Sequence, residues 1–145
     1  MTMSLMFEKL NAPLHNIVWS WGAVTPNGRL VYLRVWQDEV KIIEGKRYVH
    51  LLARDKFEGK KNLGYEERLR QLDLIREGSE CFLIFCEPKK PVTSPRKVAD
   101  FIKDRVFPTK DFLEHEGDLW IEFGGGVPLE LHLARNEQPV LSPAA

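Results

Sequence analysis

The segment from Asn16 to Asp38 constrains the fold more than any other part of the sequence. It consists of two β-rich runs that flank the pair Asn27-Gly28. An Asn-Gly pair between such runs is the strongest short-range signal for a β-hairpin, because both residues tolerate positive φ angles. The sequence therefore predicts a hairpin here, and this hairpin contains three of the four tryptophans.

The residues of this hairpin divide between two faces, because successive strand side chains point in opposite directions. On the second strand, the aliphatic face consists of Val31, Leu33 and Val35, and the mixed face consists of Leu30, Tyr32, Arg34 and Trp36. On the first strand, one face carries Ile17, Trp19 and Trp21. Aromatic rings beside an arginine are typical of a surface that stacks on a flat ligand and contacts phosphate. The alternative interpretation is that the tryptophans are core residues and that Arg34 reaches solvent at the rim.

Composition limits the classes of protein to consider. A chain of 145 residues, with 43% hydrophobic and 29% charged residues, has the size and composition of a single globular domain. Its formal net charge is +0, which argues against tight non-specific binding to nucleic acid but not against recognition of one extruded base. The sequence has no apolar run long enough for a membrane helix and no signal-peptide pattern, so we expect a cytoplasmic protein without a membrane partner.

Residues 65–77 form the clearest predicted helix. An apolar stripe at helical spacing consists of Tyr65, Leu69, Leu72 and Ile75. Gly78 follows as a residue that ends the helix. We expect the last three members of the stripe to pack on a sheet that contains Phe82 and Ile84.

The other elements are predicted from alternation and turn residues. Strands are predicted at 40–44, 47–53, 80–86, 112–114 and 119–123, a basic loop at 54–64, and an edge segment at 127–133. The pattern of 96–104 fits either a short helix or a strand. Residues 80–86 are apolar on both faces, which indicates a central buried strand, and we expect Cys81 and Cys86 within it to be reduced.

These elements indicate an α+β domain with a small, mostly antiparallel, curled sheet or β-barrel flanked by one or two helices. We predict that the domain spans residues 16–133. An N-terminal extension, residues 1–15, precedes it and contains a short helix within Met1–Leu10. A loose C-terminal tail, residues 134–145, follows it.

The hairpin and the segments after it resemble the PUA-like superfamily, which contains the EVE, ASCH and YTH domains. The resemblance lies in Asn16-x-x-Trp19-Ser20-Trp21-Gly22, in Leu33-Arg34-Val35-Trp36-Gln37-Asp38, in the predicted helix leading into strand 80–86, and in Gly117-Asp118-Leu119-Trp120. It covers most of residues 16–123. It implies a small β-barrel with a pocket, often lined by tryptophans, that receives a base, sometimes a modified one. By this resemblance the protein is a nucleic-acid-binding module, a stand-alone reader of DNA or RNA or one that works with a nuclease or another subunit.

Nucleic-acid chemistry assigns roles to the residues of this predicted pocket. An extruded base loses its stacking in the strand and regains it on an aromatic ring. The predicted stacking rings are Trp19, Trp21 and Trp36, the predicted contacts to the base edge are Asn16, Ser20 and Asp38, and the predicted phosphate contacts are Arg34, Lys60 and Lys61. The alternative interpretation of Asn16 and Asp38 is ordinary strand-end and turn chemistry.

Other classes of function have weaker sequence support. The Glu-x-Lys pattern of restriction-type nucleases begins at Glu39, Glu44 and Glu58, and three occurrences in so short a span make it unspecific. The four histidines are scattered, and neither a metal site nor a cofactor motif is predicted. The remaining alternative is a protein-interaction or structural domain, in which the tryptophans are flat and exposed, or buried, rather than lining a pocket.

Overall fold

The computed structural model describes residues 1–16, 20–53, 62–93 and 96–136. Three sets of predictions lie outside these residues: those for Trp19, those for residues 54–61 of the loop predicted at 54–64, including Lys60 and Lys61, and most of those for the tail. The end of that predicted loop, Leu63 and Gly64, belongs to a helix.

The described residues form an α+β fold of nine strands and three α-helices. The helices are α1 (Met3–Lys9), α2 (Leu63–Arg76) and α3 (Leu129–Asn136). The strands are β1 (Gly22–Val24), β2 (Leu30–Trp36), β3 (Val40–Ile43), β4 (Lys46–Ala53), β5 (Glu80–Pro88), β6 (Val98–Phe101), β7 (Arg105–His115), β8 (Asp118–Phe123) and β9 (Val127–Pro128). A short 3-10 helix, Gln37–Glu39, joins β2 to β3.

The strands form one mixed sheet in the order β1-β2-β5-β7-β8-β4-β3. The β2–β5 pair is parallel, and the other neighbours are antiparallel. Strand β6 pairs with β5, and β9 pairs with β7. The predicted α+β class and mostly antiparallel sheet are therefore confirmed. Among the described residues no pairing joins β1 to β3, so the sheet is open.

The predicted hairpin is present but shorter than the sequence suggests. Strand β1 pairs with β2 across a turn in which Gly28 has a φ of 73°. Trp21 precedes β1 rather than lying within it. Strand β2 is buried on both faces because each face packs in a core cluster. Tyr32, from the predicted ligand face, is only 1% exposed.

Two core clusters lie on the two faces of the sheet. The first contains the aliphatic face of β2, Leu83 and Phe85 of β5, and Leu72 of α2. The second contains Tyr32 and Ile84 and is covered by α1 and α3. Met6 and Phe7 of α1 are fully buried in it, so the packed fold includes residues that the sequence assigns to an N-terminal extension.

The buried face of α2 corrects the sequence analysis. The predicted helix is present, and Leu72 is fully buried as expected, but Leu69 is 38% exposed. Phe82 and Ile84 belong to the opposite core cluster, so α2 does not pack on them. The side chains that α2 buries beside Leu72 are polar, namely Glu67, Arg68 and Gln71. Apolar periodicity does not detect such a face, because polar partners from distant segments stabilise it: carbonyls for Arg68 and the Ser20 hydroxyl for Glu67.

Three further predictions have clear outcomes. Residues 98–101 form strand β6. The strands predicted at 112–114 and 119–123 are confirmed as parts of β7 and β8, which pair as a hairpin across a tight turn. The edge segment predicted at 127–133 is a strand only at its start, because α3 begins at Leu129. One face of this helix, with Leu129 and His132, is buried. None of the helices in the described part of the chain has the length and apolarity that crossing a lipid bilayer requires.

Candidate functional site

The predicted site residues that the structure describes fall into two groups. The first contains Ser20, Trp21 and Arg34, and with Glu67 and Arg68, which were not predicted, it forms what we call the Trp21 cluster. The second contains Trp36 and Asp38, and with Arg96, also not predicted, it forms the Trp36 cluster. Asn16 adjoins the first group, because its N–H donates to Ser20 Oγ over 3.0 Å and its carbonyl accepts from the Ser20 N–H over 2.9 Å.

Arg68 is the centre of the Trp21 cluster. It is only 3% exposed, and its guanidinium lies 5.6 Å from the centroid of the Trp21 ring. It donates to the carbonyls of Leu51, Trp21 and Arg34 over 2.8–3.1 Å. Burial lowers the pKa of Arg68 to about 10, so the side chain stays protonated at neutral pH. Arg68 thus ties α2 to β4, to β2 and to the residue before β1, which is a structural role.

Ser20 and Arg34 also make internal contacts. Ser20 is fully buried, and its hydroxyl donates to Glu67 Oε2 over 3.0 Å. Arg34 Nη1 donates to the Ser20 carbonyl over 2.8 Å. The predicted role of Ser20 at a base edge requires a hydroxyl that already has a partner within the fold, and the Arg34 guanidinium already donates one of its N–H groups to the Ser20 carbonyl.

The Trp36 cluster is different because it lies at the surface. Arg96 Nη1 donates to Asp38 Oδ1 over 2.7 Å, and the Arg96 guanidinium lies 5.3 Å from the centroid of the Trp36 ring. The Arg96 side chain is 28% exposed and that of Asp38 is 38% exposed. The bond to Asp38 raises the pKa of Arg96 above its usual value. One flat cation therefore covers the indole and binds the carboxylate at the same time.

Asp38 also lines a cleft of about 420 Å³ between the 3-10 helix, β3, β4 and β8, which we call the His50 cleft. The other residues that line it are Glu39, Val40, Lys41, His50, Ala53, Asp118 and Trp120. His50 Nε2 donates to Asp118 Oδ2 over 2.9 Å, and the His50 ring meets the Trp120 ring edge-on at 5.2 Å. The volume is in the range of small-molecule sites.

A second cleft, of about 530 Å³, lies between α2, β1 and residues 13–15. We call it the Glu67 cleft, after the buried carboxylate that lines it together with Arg70 and Gln71. Neither Trp21 nor Trp36 is among the residues that line either cleft.

Other chemistries find little support in the described part of the chain. It contains no group of three or more His, Cys, Asp or Glu side chains that could hold a metal ion. Cys81 and Cys86 are unpaired and buried, as expected, and burial raises the pKa of Cys81 to about 12. A protonated, buried thiol is a poor nucleophile.

Arg96, Arg68 and Glu67 are site residues that the sequence did not predict. Arg96 comes from a proline-rich segment far from the hairpin, and only the pairing of the adjacent β6 with β5 brings it to Trp36. The one indication in the sequence is that Arg96 is a charged residue at the start of 96–104, a segment whose pattern fits either a helix or a strand. Nothing in the sequence indicates that Arg68 and Glu67 point inward, since neighbouring charged residues on a helix are usually solvated.

No protein-family model, no curated protein and no solved structure matches this chain. The geometry of its own residues therefore carries the functional interpretation.

Proposed function

We propose that the protein binds nucleic acid and accepts one base at the Trp36 cluster, beside the His50 cleft. The observation that carries this proposal is the position of the Arg96 guanidinium, over the Trp36 ring and bonded to the Asp38 carboxylate. A guanidinium is a flat group with N–H donors at its edge.

A base with an exocyclic amino group has the same two properties. Its ring stacks on an indole, and its amino group donates to a carboxylate. Trp36 and Asp38 thus offer a base the same two contacts that they offer Arg96. In this proposal Arg96 occupies the base position in the free protein and leaves it when a base enters.

The displacement of Arg96 has a low cost because its contacts are partly exposed. Exposed ion pairs contribute about 0–1 kcal/mol, whereas stacking on an aromatic residue contributes on the order of 1–3 kcal/mol per base. The released guanidinium is then free to contact the phosphate next to the bound base. This contact supplies positive charge at the site in a protein whose formal net charge is +0.

The His50 cleft adjoins the Trp36 cluster and is the concave part of the proposed site. Asp38 connects the Trp36 cluster to this cleft, and Asp118 and Glu39 add carboxylates to its wall. Carboxylates accept from amino-bearing bases, so cytosine and adenine are favoured over thymine or uracil. A group added to the base is sensed by how it fills the cleft, and one methyl group contributes about 1–3 kcal/mol of discrimination at most.

Fluorescence titration of the tryptophans with short single-stranded oligonucleotides tests this proposal. At low salt, where the phosphate contribution is largest, we expect quenching that is stronger for cytosine- or adenine-containing strands than for oligothymidine. Strands with a modified base are titrated beside plain ones. Trp36→Ala should weaken binding by about 5- to 100-fold, as loss of one stacking ring predicts, while the variant keeps a cooperative thermal unfolding transition.

The chain offers a matched control for the carboxylate. Arg76 lies 5.1 Å from the centroid of the Phe112 ring and bonds Asp73 over 3.4 Å, so an arginine, an aromatic ring and an aspartate recur there. Asp38→Asn should weaken binding, and Asp73→Asn should not. Equal effects of the two substitutions, or no binding of any oligonucleotide at low salt, would contradict the proposal and favour a protein-interaction domain.

A further inference from the structure

One face of α2 lines the Glu67 cleft with an unusual combination of side chains. Glu67, Arg70, Gln71 and Leu74 follow each other at helical spacing, and all four line the cleft. Pro13 and Val24 add apolar surface on the opposite side. The cleft thus has hydrogen-bond acceptors, a cation and apolar walls.

Two acceptor oxygens of this cleft have no donor among the residues that the structure describes. Glu67 is 7% exposed and Gln71 is 4% exposed. Glu67 Oε2 accepts from Ser20 Oγ over 3.0 Å, but Glu67 Oε1 and Gln71 Oε1 are both buried and receive no hydrogen bond from any described residue. Buried acceptors are almost always paired, because leaving them unpaired is costly. Two unpaired oxygens one helical turn apart therefore indicate a place for a ligand that supplies N–H groups.

A structural role accounts for only part of this arrangement. The negative charge of Glu67 lies beside the buried Arg68 and favours its protonated form. This explains why a carboxylate is tolerated there and why Ser20 holds one of its oxygens. It does not explain the free oxygen of Glu67 or the unpaired amide oxygen of Gln71.

Arg70 is the charged residue at the rim of this cleft. It is exposed, and it makes no hydrogen bond or ion pair with any other residue that the structure describes. It lies one turn from Leu74 and one residue from Gln71, on the cleft side of α2. A free guanidinium at the rim of a cleft is suited to a phosphate or carboxylate of the ligand.

We infer that the Glu67 cleft binds a guanine nucleotide. Guanine has two adjacent N–H donors, its ring N1–H and its 2-amino group, which fit the two unpaired oxygens. The flat ring fits between the apolar residues Val24 and Leu74, and the phosphate reaches Arg70. The volume of about 530 Å³ accommodates a mononucleotide.

Gly22 lets the side chain of Gln71 lie close to the backbone of β1. A Cβ atom at this position would lie 2.8 Å from Gln71 Oε1 and 2.5 Å from the Tyr32 carbonyl oxygen. Any larger residue would therefore displace the amide of Gln71. The backbone of Gly22 approaches α2 closely and forms the floor of the cleft beside this acceptor.

Isothermal titration with guanosine 5′-monophosphate, guanosine and inosine 5′-monophosphate tests the inference. Inosine 5′-monophosphate lacks the 2-amino donor, and guanosine lacks the phosphate. We expect the first compound to bind at least tenfold more tightly than either of the others. Binding of all three with equal affinity, or no binding of guanosine 5′-monophosphate at millimolar concentration, overturns the inference.

Two variants assign the binding to the cleft. Arg70→Ala should reduce the affinity for guanosine 5′-monophosphate to that for guanosine and leave the affinity for guanosine unchanged. Arg29→Ala, an exposed arginine on another part of the surface, is the control and should change neither. Glu67→Gln should abolish binding, and if this variant does not fold, the exposed Arg70 variant decides the outcome.

This inference is independent of the proposed function. Trp36→Ala removes the proposed base site but leaves the Glu67 cleft intact, so it should retain full affinity for guanosine 5′-monophosphate. Loss of that affinity in Trp36→Ala would place the nucleotide at the Trp36 cluster and overturn the inference, while leaving the proposed function in place.

Discussion

Trp21 and Trp36 each lie beneath an arginine, at centroid distances of 5.6 and 5.3 Å, yet the two arginines have different surroundings. Arg68 is buried and donates to three backbone carbonyls, so its position is fixed by several segments of the chain. Arg96 is partly exposed, and the hydrogen bond it makes among the described residues is to one carboxylate.

The difference shows how to separate a structural tryptophan from one available to a ligand. Both indoles carry a cation and both are half-buried, so neither burial nor ring contacts distinguish them. The partners of the cation do distinguish them. A cation bonded to backbone carbonyls cannot leave without exposing them unpaired, whereas a cation bonded to a surface carboxylate leaves to solvent.

The largest expected effect comes from removing the buried arginine. Arg68→Met keeps an apolar stem but leaves the carbonyls of Leu51, Trp21 and Arg34 without this donor. We expect a loss of about 3–5 kcal/mol in the free energy of unfolding, as for other buried charges whose partners are left behind. Urea unfolding measures it, and a loss below about 1 kcal/mol would remove the structural role from Arg68.

A second substitution measures how much apolar packing contributes to the stability with which α2 is held on the sheet. Leu72→Ala removes a fully buried side chain from the first core cluster and should cost about 2–5 kcal/mol. Leu69→Ala, on the exposed side of the same helix, should change the free energy of unfolding by less than about 0.5 kcal/mol. Denaturant melts of the two variants, run side by side, compare the two faces. A change below about 0.5 kcal/mol for Leu72→Ala would contradict the packing.

A pH titration extends the comparison to another buried polar contact. The Tyr32 hydroxyl donates to His132 Nε2 over 2.6 Å, and His132 is 2% exposed. Burial, with a smaller effect from Arg135, lowers the pKa of His132. A histidine with a lowered pKa is neutral in the fold, so the unfolded chain binds more protons once the pH falls below about 6.5.

The stability contributed by this contact should therefore be complete above about pH 6.5 and decrease as the pH falls toward the lower pKa of the folded state. The measurement is the urea midpoint between pH 7.5 and pH 5.5, for the protein and for His132→Gln. The variant should show a smaller decrease over this range because it lacks the titrating group. Parallel pH profiles for the two proteins would contradict the assignment.

A small effect on stability is expected from Arg96→Met. Its ion pair with Asp38 is partly exposed, so the free energy of unfolding should change by less than about 1 kcal/mol. Oligonucleotide affinity should fall by no more than one phosphate contact contributes, because Trp36 and Asp38 remain available to the base. A destabilisation as large as that of Arg68→Met would show that Arg96 also has a structural role, and would contradict the distinction between Trp21 and Trp36.

The sequence predicted the features that depend on local pattern. The Asn27-Gly28 turn, the buried run 80–86, the α2 helix and the β7–β8 hairpin each have a periodicity or a turn residue of their own. It did not predict the inward-facing Glu67, Arg68 and Gln71, because their burial depends on segments distant in the sequence. Arg68 donates to backbone carbonyls of three such segments, and Glu67 accepts from the Ser20 hydroxyl. The same is true of Arg96, whose position at Trp36 depends on how β6 pairs.

The helix α3 shows the same limit in another way. Residues 127–133 fit an edge strand by alternation, but helical spacing brings Leu129 and His132 onto one buried face. In the fold, the Tyr32 hydroxyl meets His132, which lies 100 positions further along the sequence. A local pattern carries no information about that partner.

The parallel pairing of β2 with β5 has a consequence for how the chain folds. Between them the chain must form β3, β4 and α2, so the central strand joins its neighbour only after a long loop has closed. Strand β4 meets β8 across an even longer separation. Contacts of this kind slow folding. As the chain leaves the ribosome, β2 and β4 therefore present unpaired edges until β5 and β8 have been synthesised, and a chain that stops before β8 should aggregate rather than fold.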